Sequence, residues 1–334
     1  MTSTPAIAKL LADARADGAR GAWGEVRALL GARGPEVRAH PELVTLLGEA
    51  LLRTHAPREA SEFLAETGTM VRRSGDRAAS RKAINLEGAA CFECGELDRA
   101  AERFHEALEL GREDGDDLLF ARATNNLGAI ANLRGVPREA LTLYHLAIPA
   151  YQRLGNVRGL AETYHNLAIS FRDLGDARRT DECERRTLEF ARQASDPHLA
   201  AMALVGLAEL RLRTGDAVLA SAEARRAVEE MSRIGDAKGE ADALRLAGAA
   251  ATAIGAYTEA ESSLGRALLL SRERGFALIE AESLRVIAEL AFVQADRARA
   301  STAASAALTI FDELGASAEA QALREWLAAG GLRG

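Results

Sequence analysis

The residues best suited to chemistry in this 334-residue chain are three cysteines, six histidines and six asparagines. Cys91-Phe92-Glu93-Cys94 has the spacing of a redox or zinc pair. A redox pair draws thiolate character from a helix N-terminus, whereas these thiols close a helical stretch, where the backbone dipole disfavours an anion. No second pair completes a zinc site, and Cys183 stands far along the chain. Core packing is the better account of both cysteines. The histidines (His40, His55, His105, His145, His165 and His198) show no HExxH or comparable ligand spacing. The run Glu113-Asp114-Gly115-Asp116-Asp117 lacks the alternating ligands and closing Glu of a calcium loop, and reads as a capped turn. No GxxxxGK[ST], GxGxxG or GxSxG motif is present. The expectation is a protein without catalytic residues, metal or cofactor, and so not an enzyme.

The asparagines are different, because they cluster. All six fall between Asn85 and Asn166, and five of them lie in helical stretches. Asparagine is a poor helix-interior residue, since its side chain competes for backbone partners, so five in helices need a reason. Each amide offers a donor and an acceptor to a peptide backbone. Lys82, Arg122 and Arg172 lie in the same zone and could hold a carboxylate, and three of the four tyrosines (Tyr144, Tyr151, Tyr164) accompany them.

The elements that must position these groups follow from a period of forty. Gly75, Gly115, Gly155, Gly235, Gly275 and Gly315 share one register, with Ser195 in the gap; Gly95, Gly135, Gly175, Gly215 and Gly255 share another, closed by Ala295. An acid or amide often follows at once, as at Asp76, Asp116, Asn156, Asp176, Asp196, Asp216 and Asp236. Glycine ends a helix in a left-handed conformation, and the next Asp or Asn caps the following helix. Between these marks the apolar residues have helical spacing, as in Leu244, Ala247, Ala251 and Ile254. Alanine recurs at Ala60, Ala100, Ala140, Ala220, Ala260 and Ala300, and a small residue at Gly48, Gly88, Gly128, Ala168, Ala208, Gly248 and Ala288. Small residues let helix backbones approach closely.

This pattern resembles the tetratricopeptide repeat, most clearly in Gly128, Gly135, Ala140, Tyr144 and Ala147. The 40-residue blocks are similar to the variant of kinesin light chains, Pins-type scaffolds and MalT-type or peptide-pheromone-receptor regulators. The resemblance implies an all-α, right-handed superhelical solenoid of antiparallel helix pairs, with about seventeen helices. Residues 1–40 form a shorter leading pair containing Gly21, Trp23 and Leu30, residues 41–320 form seven blocks, and residues 321–334 complete a capping helix that starts near 317. In that helix Leu323, Trp326 and Leu327 can cover the terminal apolar face. Length alone suggests two domains, whereas the period predicts one continuous solenoid.

The resemblance also implies that a concave groove is lined by positions 2, 5, 6, 9, 12 and 13 of each block. Those positions carry Lys82, Asn85, Arg122, Asn125, Asn126, Asn132, His165, Asn166 and Arg172. Two readings stay open here: these side chains bind an extended peptide, or they solvate an open surface and bond helix to helix. Charge has the same ambiguity. Residues 81–120 hold five basic and eleven acidic side chains, while residues 121–160 hold five basic ones and only Glu139. A basic block could steer an acidic partner, or adjacent blocks could neutralise each other. Two local departures stand out: Pro149 inside a helix, expected to bend it, and Thr180, Glu184 and Thr187 where neighbouring blocks are small or apolar.

Composition sets outer bounds. Apolar residues make up 48% of the chain and charged ones 27%, ordinary for a globular protein. A net charge of −7 and 4% aromatic residues argue against a nucleic-acid or membrane partner. No run approaches the roughly 18 apolar residues of a membrane span. The first residues lack a secretory pattern, which predicts a cytoplasmic protein. Repeats beginning within the first ten residues leave no room for a preceding DNA-binding domain. The expected function is a non-enzymatic scaffold or adaptor that binds a protein or peptide, one of acidic or C-terminal carboxylate character suiting the basic groups. The alternative is a ligand- or peptide-responsive regulator that changes superhelix shape.

Overall fold

A computed structural model describes residues 4–329 of the chain, which contain eighteen α-helices and no strand. The helices are α1 (Thr4–Ala19), α2 (Trp23–Gly31), α3 (Gly34–Arg38), α4 (Pro41–Arg53), α5 (Pro57–Arg73) and α6 (Arg77–Glu93). They continue as α7 (Leu97–Asp114), α8 (Asp117–Leu133), α9 (Pro137–Arg153), α10 (Val157–Asp173), α11 (Ala177–Gln193) and α12 (Pro197–Thr214). The last six are α13 (Ala217–Ile234), α14 (Ala237–Ala253), α15 (Tyr257–Arg274), α16 (Ala277–Val293), α17 (Arg297–Glu313) and α18 (Ser317–Ala329). The chain forms two compact units, one ending at Gly159 and the other beginning at Leu160. Within each, sequential helices pack as antiparallel pairs.

The turns form where backbone preference demands them. Both glycine registers adopt positive φ, and so do the two residues standing in for glycine, Ser195 (φ 52°) and Ala295 (φ 63°). The seven acids and amides expected to cap do so. Asp76 accepts from the Ala79 amide at 3.0 Å, Asn156 from the Gly159 amide at 2.9 Å, and Asp236 from the Gly239 amide at 2.9 Å. Asp116, Asp176, Asp196 and Asp216 repeat the bond.

The small residues of the A helices (α4, α6, α8, α14) are seats for side chains of the following B helices. A Cβ added at Gly48 would meet Leu64 at 2.8 Å; at Gly88, Phe104 at 2.7 Å; at Gly128, Tyr144 at 2.5 Å; at Gly248, Leu264 at 2.5 Å. The alanine column, Ala60 to Ala300, is fully buried. Each pair is thus a knob in a cleared hole, and burial of these apolar groups supplies the main driving force.

Two details depart from the periodic scheme. The leading segment gains a third, five-residue helix, α3, begun by Pro35 in its first turn, which accounts for one helix more than the pairing alone predicts. Pro149 stays inside an unbroken α9, with its ring exposed. At the far end α18 closes the stack: Leu323 is buried, Trp326 and Leu327 pack on the same cluster, and Trp326 meets Phe292 edge-on at 5.5 Å.

Candidate functional site

In the first unit α6 packs between α4 and α8, so equivalent positions on these A helices stand side by side. Lys82 and Asn85 lie on α6; Arg122, Asn125, Asn126 and Asn132 lie on α8. Lys82 is exposed and its Nζ pairs with Glu49 of α4 at 2.7 Å. A hollow of about 230 Å³ opens beside it, lined by Thr45, Leu46, Asp76, Ala79 and the Arg15–Glu42 ion pair. Asn85 is half-buried, and its Oδ1 is shut away from water with no hydrogen-bond donor. Arg122, exposed, and Asn126, half-buried, make no hydrogen bond or ion pair among the described residues.

The other two asparagines of α8 are committed. Asn132 donates from Nδ2 to the Tyr144 hydroxyl at 3.0 Å, tying the end of α8 to α9. That phenol is fully buried, and desolvation raises its pKa far above the ordinary value. Asn125 is 6% exposed and has partners of its own.

In the second unit His165, Asn166 and Arg172 lie on α10. All three are half-buried and engaged. Arg172 donates from Nη1 to Glu209 of α12 at 2.6 Å, and Asn166 has partners of its own. His165 Nδ1 lies 3.2 Å from Oε2 of Glu184 on α11. Glu184 is 2% exposed and occupies the knob position held elsewhere by Leu64, Phe104, Tyr144 and Leu264. Next to it Tyr164 stacks on Phe190 at 5.6 Å and accepts a hydrogen bond from Arg186 Nη1 at 2.8 Å.

The periodic pattern marks Glu184 as a departure and, in a second column, marks one more buried acid. Glu87 of α6 stands where the matching residues are Leu47, Leu127, Leu167, Leu207, Ala247 and Ile287. It is 8% exposed with no ion pair, and burial raises its carboxyl pKa despite Arg103, Arg72 and Arg99 nearby. The signal, one acid in an apolar column, is present in the sequence. Arg245 of α14 bridges Asp242 (2.6 Å) and Glu282 of α16 (3.2 Å). Arg211 of α12 pairs with Asp181 of α11, while its Nε faces Glu223 of α13 at 4.0 Å with neither atom hydrogen-bonded. Apart from Arg245–Asp242, three residues apart on α14, these pairs join different helices through side-chain placement that spacing does not specify.

Two of the three thiols are shielded by burial. Cys91 is fully buried beside Ser61 at 3.5 Å, and desolvation raises its pKa; burial pushes the Cys183 thiol up to about 12. Among the described residues no group of three or more His, Cys, Asp or Glu could hold a metal ion. No described helix is long and apolar enough to cross a membrane. What the first unit's A-helix face can do chemically is hydrogen-bond: a sequestered amide acceptor at Asn85, an uncommitted amide at Asn126 and an unpaired cation at Arg122 on packed helices.

A sequence model of the tetratricopeptide repeat matches residues 119–193. No curated protein matches the chain. Among solved structures, a Rap protein complexed with competence and sporulation factor aligns at 12% identity and a TM-score of 0.66, covering 98% of both chains. The apo quorum sensor NprR from B. thuringiensis aligns at 11% identity and a TM-score of 0.64, covering 98% of this chain and 99% of that one. A signal-transduction ATPase from Pyrococcus horikoshii with a tetratricopeptide-repeat sensor aligns at 14% identity and a TM-score of 0.69 over 88% of this chain, which spans 45% of that protein's length. These identities bear on fold alone. Residues 119–193 thus match the tetratricopeptide repeat, and the same glycine turns, caps and seated knobs recur in 40-residue units on either side of that stretch.

Proposed function

We propose that the A-helix face of the first unit binds an extended segment of a partner protein or peptide. The observation that carries this reading is the Asn85 carbonyl: a buried acceptor without a donor costs about 1–3 kcal/mol, a cost relieved when a ligand N–H reaches it. Asn126 supplies a second amide, and Arg122 a cation suited to an acidic side chain or a C-terminal carboxylate. Lys82 is held by Glu49 and would have to exchange that partner for a ligand, so it contributes less than Arg122. Asn132 acts by holding α8 against α9 rather than by touching the partner. In the second unit His165 and Arg172 are likewise engaged by Glu184 and Glu209, so Asn85, Arg122 and Asn126 form the core of the site.

Arrayed extended peptides test the reading. Asn85→Leu and the double change Arg122→Ala with Asn126→Ala should each lower affinity at least tenfold for any peptide the native protein retains, about 1.4 kcal/mol, with the helical circular dichroism preserved. Retained affinity in both variants would remove the site. A second reading, a peptide-responsive sensor, is favoured by the whole-length likeness to the Rap protein complexed with its factor and to the quorum sensor NprR. A ligand-induced change in radius of gyration by solution scattering supports that reading, and an unchanged radius on saturation rejects it.

A further inference from the structure

Glu184 departs from every rule that builds this fold. Its position on α11 is a knob position, filled at the equivalent places by Leu64, Phe104, Tyr144, Ala224, Leu264 and Ala304. It nevertheless carries a carboxyl group that is 2% exposed. The carboxyl lies across the seam between α10, α11 and α12. One oxygen, Oε2, is 3.2 Å from His165 Nδ1 on α10. The other, Oε1, fills the space above Gly206 of α12, where even a methyl group would collide with it and with Cδ. Gly206 is itself exceptional, since the matching positions carry Leu46, Leu86, Asn126, Asn166, Leu246 and Val286. The glycine and the glutamate therefore fit one another.

We propose that His165 and Glu184, seated on Gly206, form a proton-dependent latch joining α10, α11 and α12. This inference does not depend on peptide binding by the first unit.

The charged groups facing Glu184 are His165 and Arg172 from α10 and Glu209 from α12. Arg172 is already neutralised by Glu209 at 2.6 Å. On its own helix the nearest polar groups of the same stripe, Thr180 and Thr187, donate to the carbonyls of Asp176 and Cys183. A protonated Glu184 carboxyl can share a hydrogen bond with the imidazole across that contact. An ionised carboxylate is instead left in a dry seam, at a desolvation cost.

Burial raises the Glu184 carboxyl above its ordinary 4.5, with His165 and Arg172 opposing and Glu209 reinforcing the shift. A raised carboxyl contributes stability below its unfolded value and loses it as pH rises through the folded one. The latch is therefore closed on the acid side and loosens with alkali. Loosening frees α12, whose Met202, Val205 and Leu212 are half-buried on its A-helix face.

Hydrogen-exchange protection factors, corrected for intrinsic rates, test this between pH 5 and pH 8 on the full chain. In the native protein the amides of α12 around Gly206 should lose protection as pH rises, relative to those of α16, by about tenfold for each unit by which folding shifts the proton affinity. Glu184→Gln keeps the shape and removes the titration, so its α12 protection should not vary with pH. Glu184→Leu restores the apolar knob and serves as a second flat control. Gly206→Ala should lower α12 protection at every pH by expelling the carboxyl. A native protein with no pH slope at α12, or the same slope in Glu184→Gln, overturns the latch; full protection in Gly206→Ala overturns its seating.

Discussion

At the scale of single residues, the packing makes sharp demands at the seats and tolerates one costly exception. Gly128 leaves room for the Tyr144 ring, and a Cβ there would lie 2.5 Å from it. Gly128→Ala should destabilise the protein by about 1–3 kcal/mol in urea unfolding, the range for overpacking a filled core. Glu87 is the opposite case, a buried carboxyl with no ion pair in an otherwise apolar column. Glu87→Leu should raise stability by about 1–3 kcal/mol, the gain from burying an apolar side chain where a desolvated carboxyl stood. Because burial raises this carboxyl, its cost grows as pH climbs through the raised value, so the gain should be larger at pH 8 than at pH 4.5. Urea titrations at the two pH values check both the magnitude and the sign. Of the nine groove candidates, residue type and spacing alone identified a polar cluster, but could not separate Asn126, which is uncommitted, from Asn132, bonded to Tyr144. That distinction depends on where a tyrosine on another helix directs its hydroxyl.

At the scale of elements, helix boundaries follow from the residue at each turn. Twelve described glycines adopt positive φ, and Ser195 and Ala295 adopt the same conformation without glycine's freedom. Ala295→Gly should therefore stabilise the protein by about 1 kcal/mol, the strain of a left-handed residue bearing a Cβ. A thermal midpoint no higher than that of the native protein would show that the turn is relaxed. Caps run the other way: Asp236→Ala removes the acceptor for the Gly239 amide and should cost about 1 kcal/mol. These features are legible in the residues themselves because caps and turns involve positions close together along the chain. The short α3 is not. Pro149 lies inside α9 as its position in the block implies, with Tyr144, Ala147, Ala150 and Tyr151 buried around the proline.

At the scale of the whole molecule, each unit is a stack in which a helix touches its sequence neighbours and, among the A helices, the next helix but one, so the terminal faces need covers. Removing α18 would expose Phe311, Ala304 and Ala307, which Leu323, Trp326 and Leu327 now help to cover. A chain ending after Gly315 should lose thermal stability and bind a hydrophobic dye; an unchanged melting curve would show that α17 can close the stack by itself. The net charge of −7 is unevenly distributed, and Arg122 lies in the one block with a large positive balance. Sequence alone determined the period of forty, the helix pairs, the left-handed turns and the caps, because each rests on the backbone preference of one residue or on neighbours within a turn. Only the tertiary structure decided that Asn85 lacks a donor, that Asn126 is open, that Arg172 answers Glu209, and that Glu184 lies buried on Gly206. Those facts depend on side chains brought together from different blocks. A periodic sequence specifies how its blocks stack, but the pairing of polar groups across each seam is set by the particular residues that meet there.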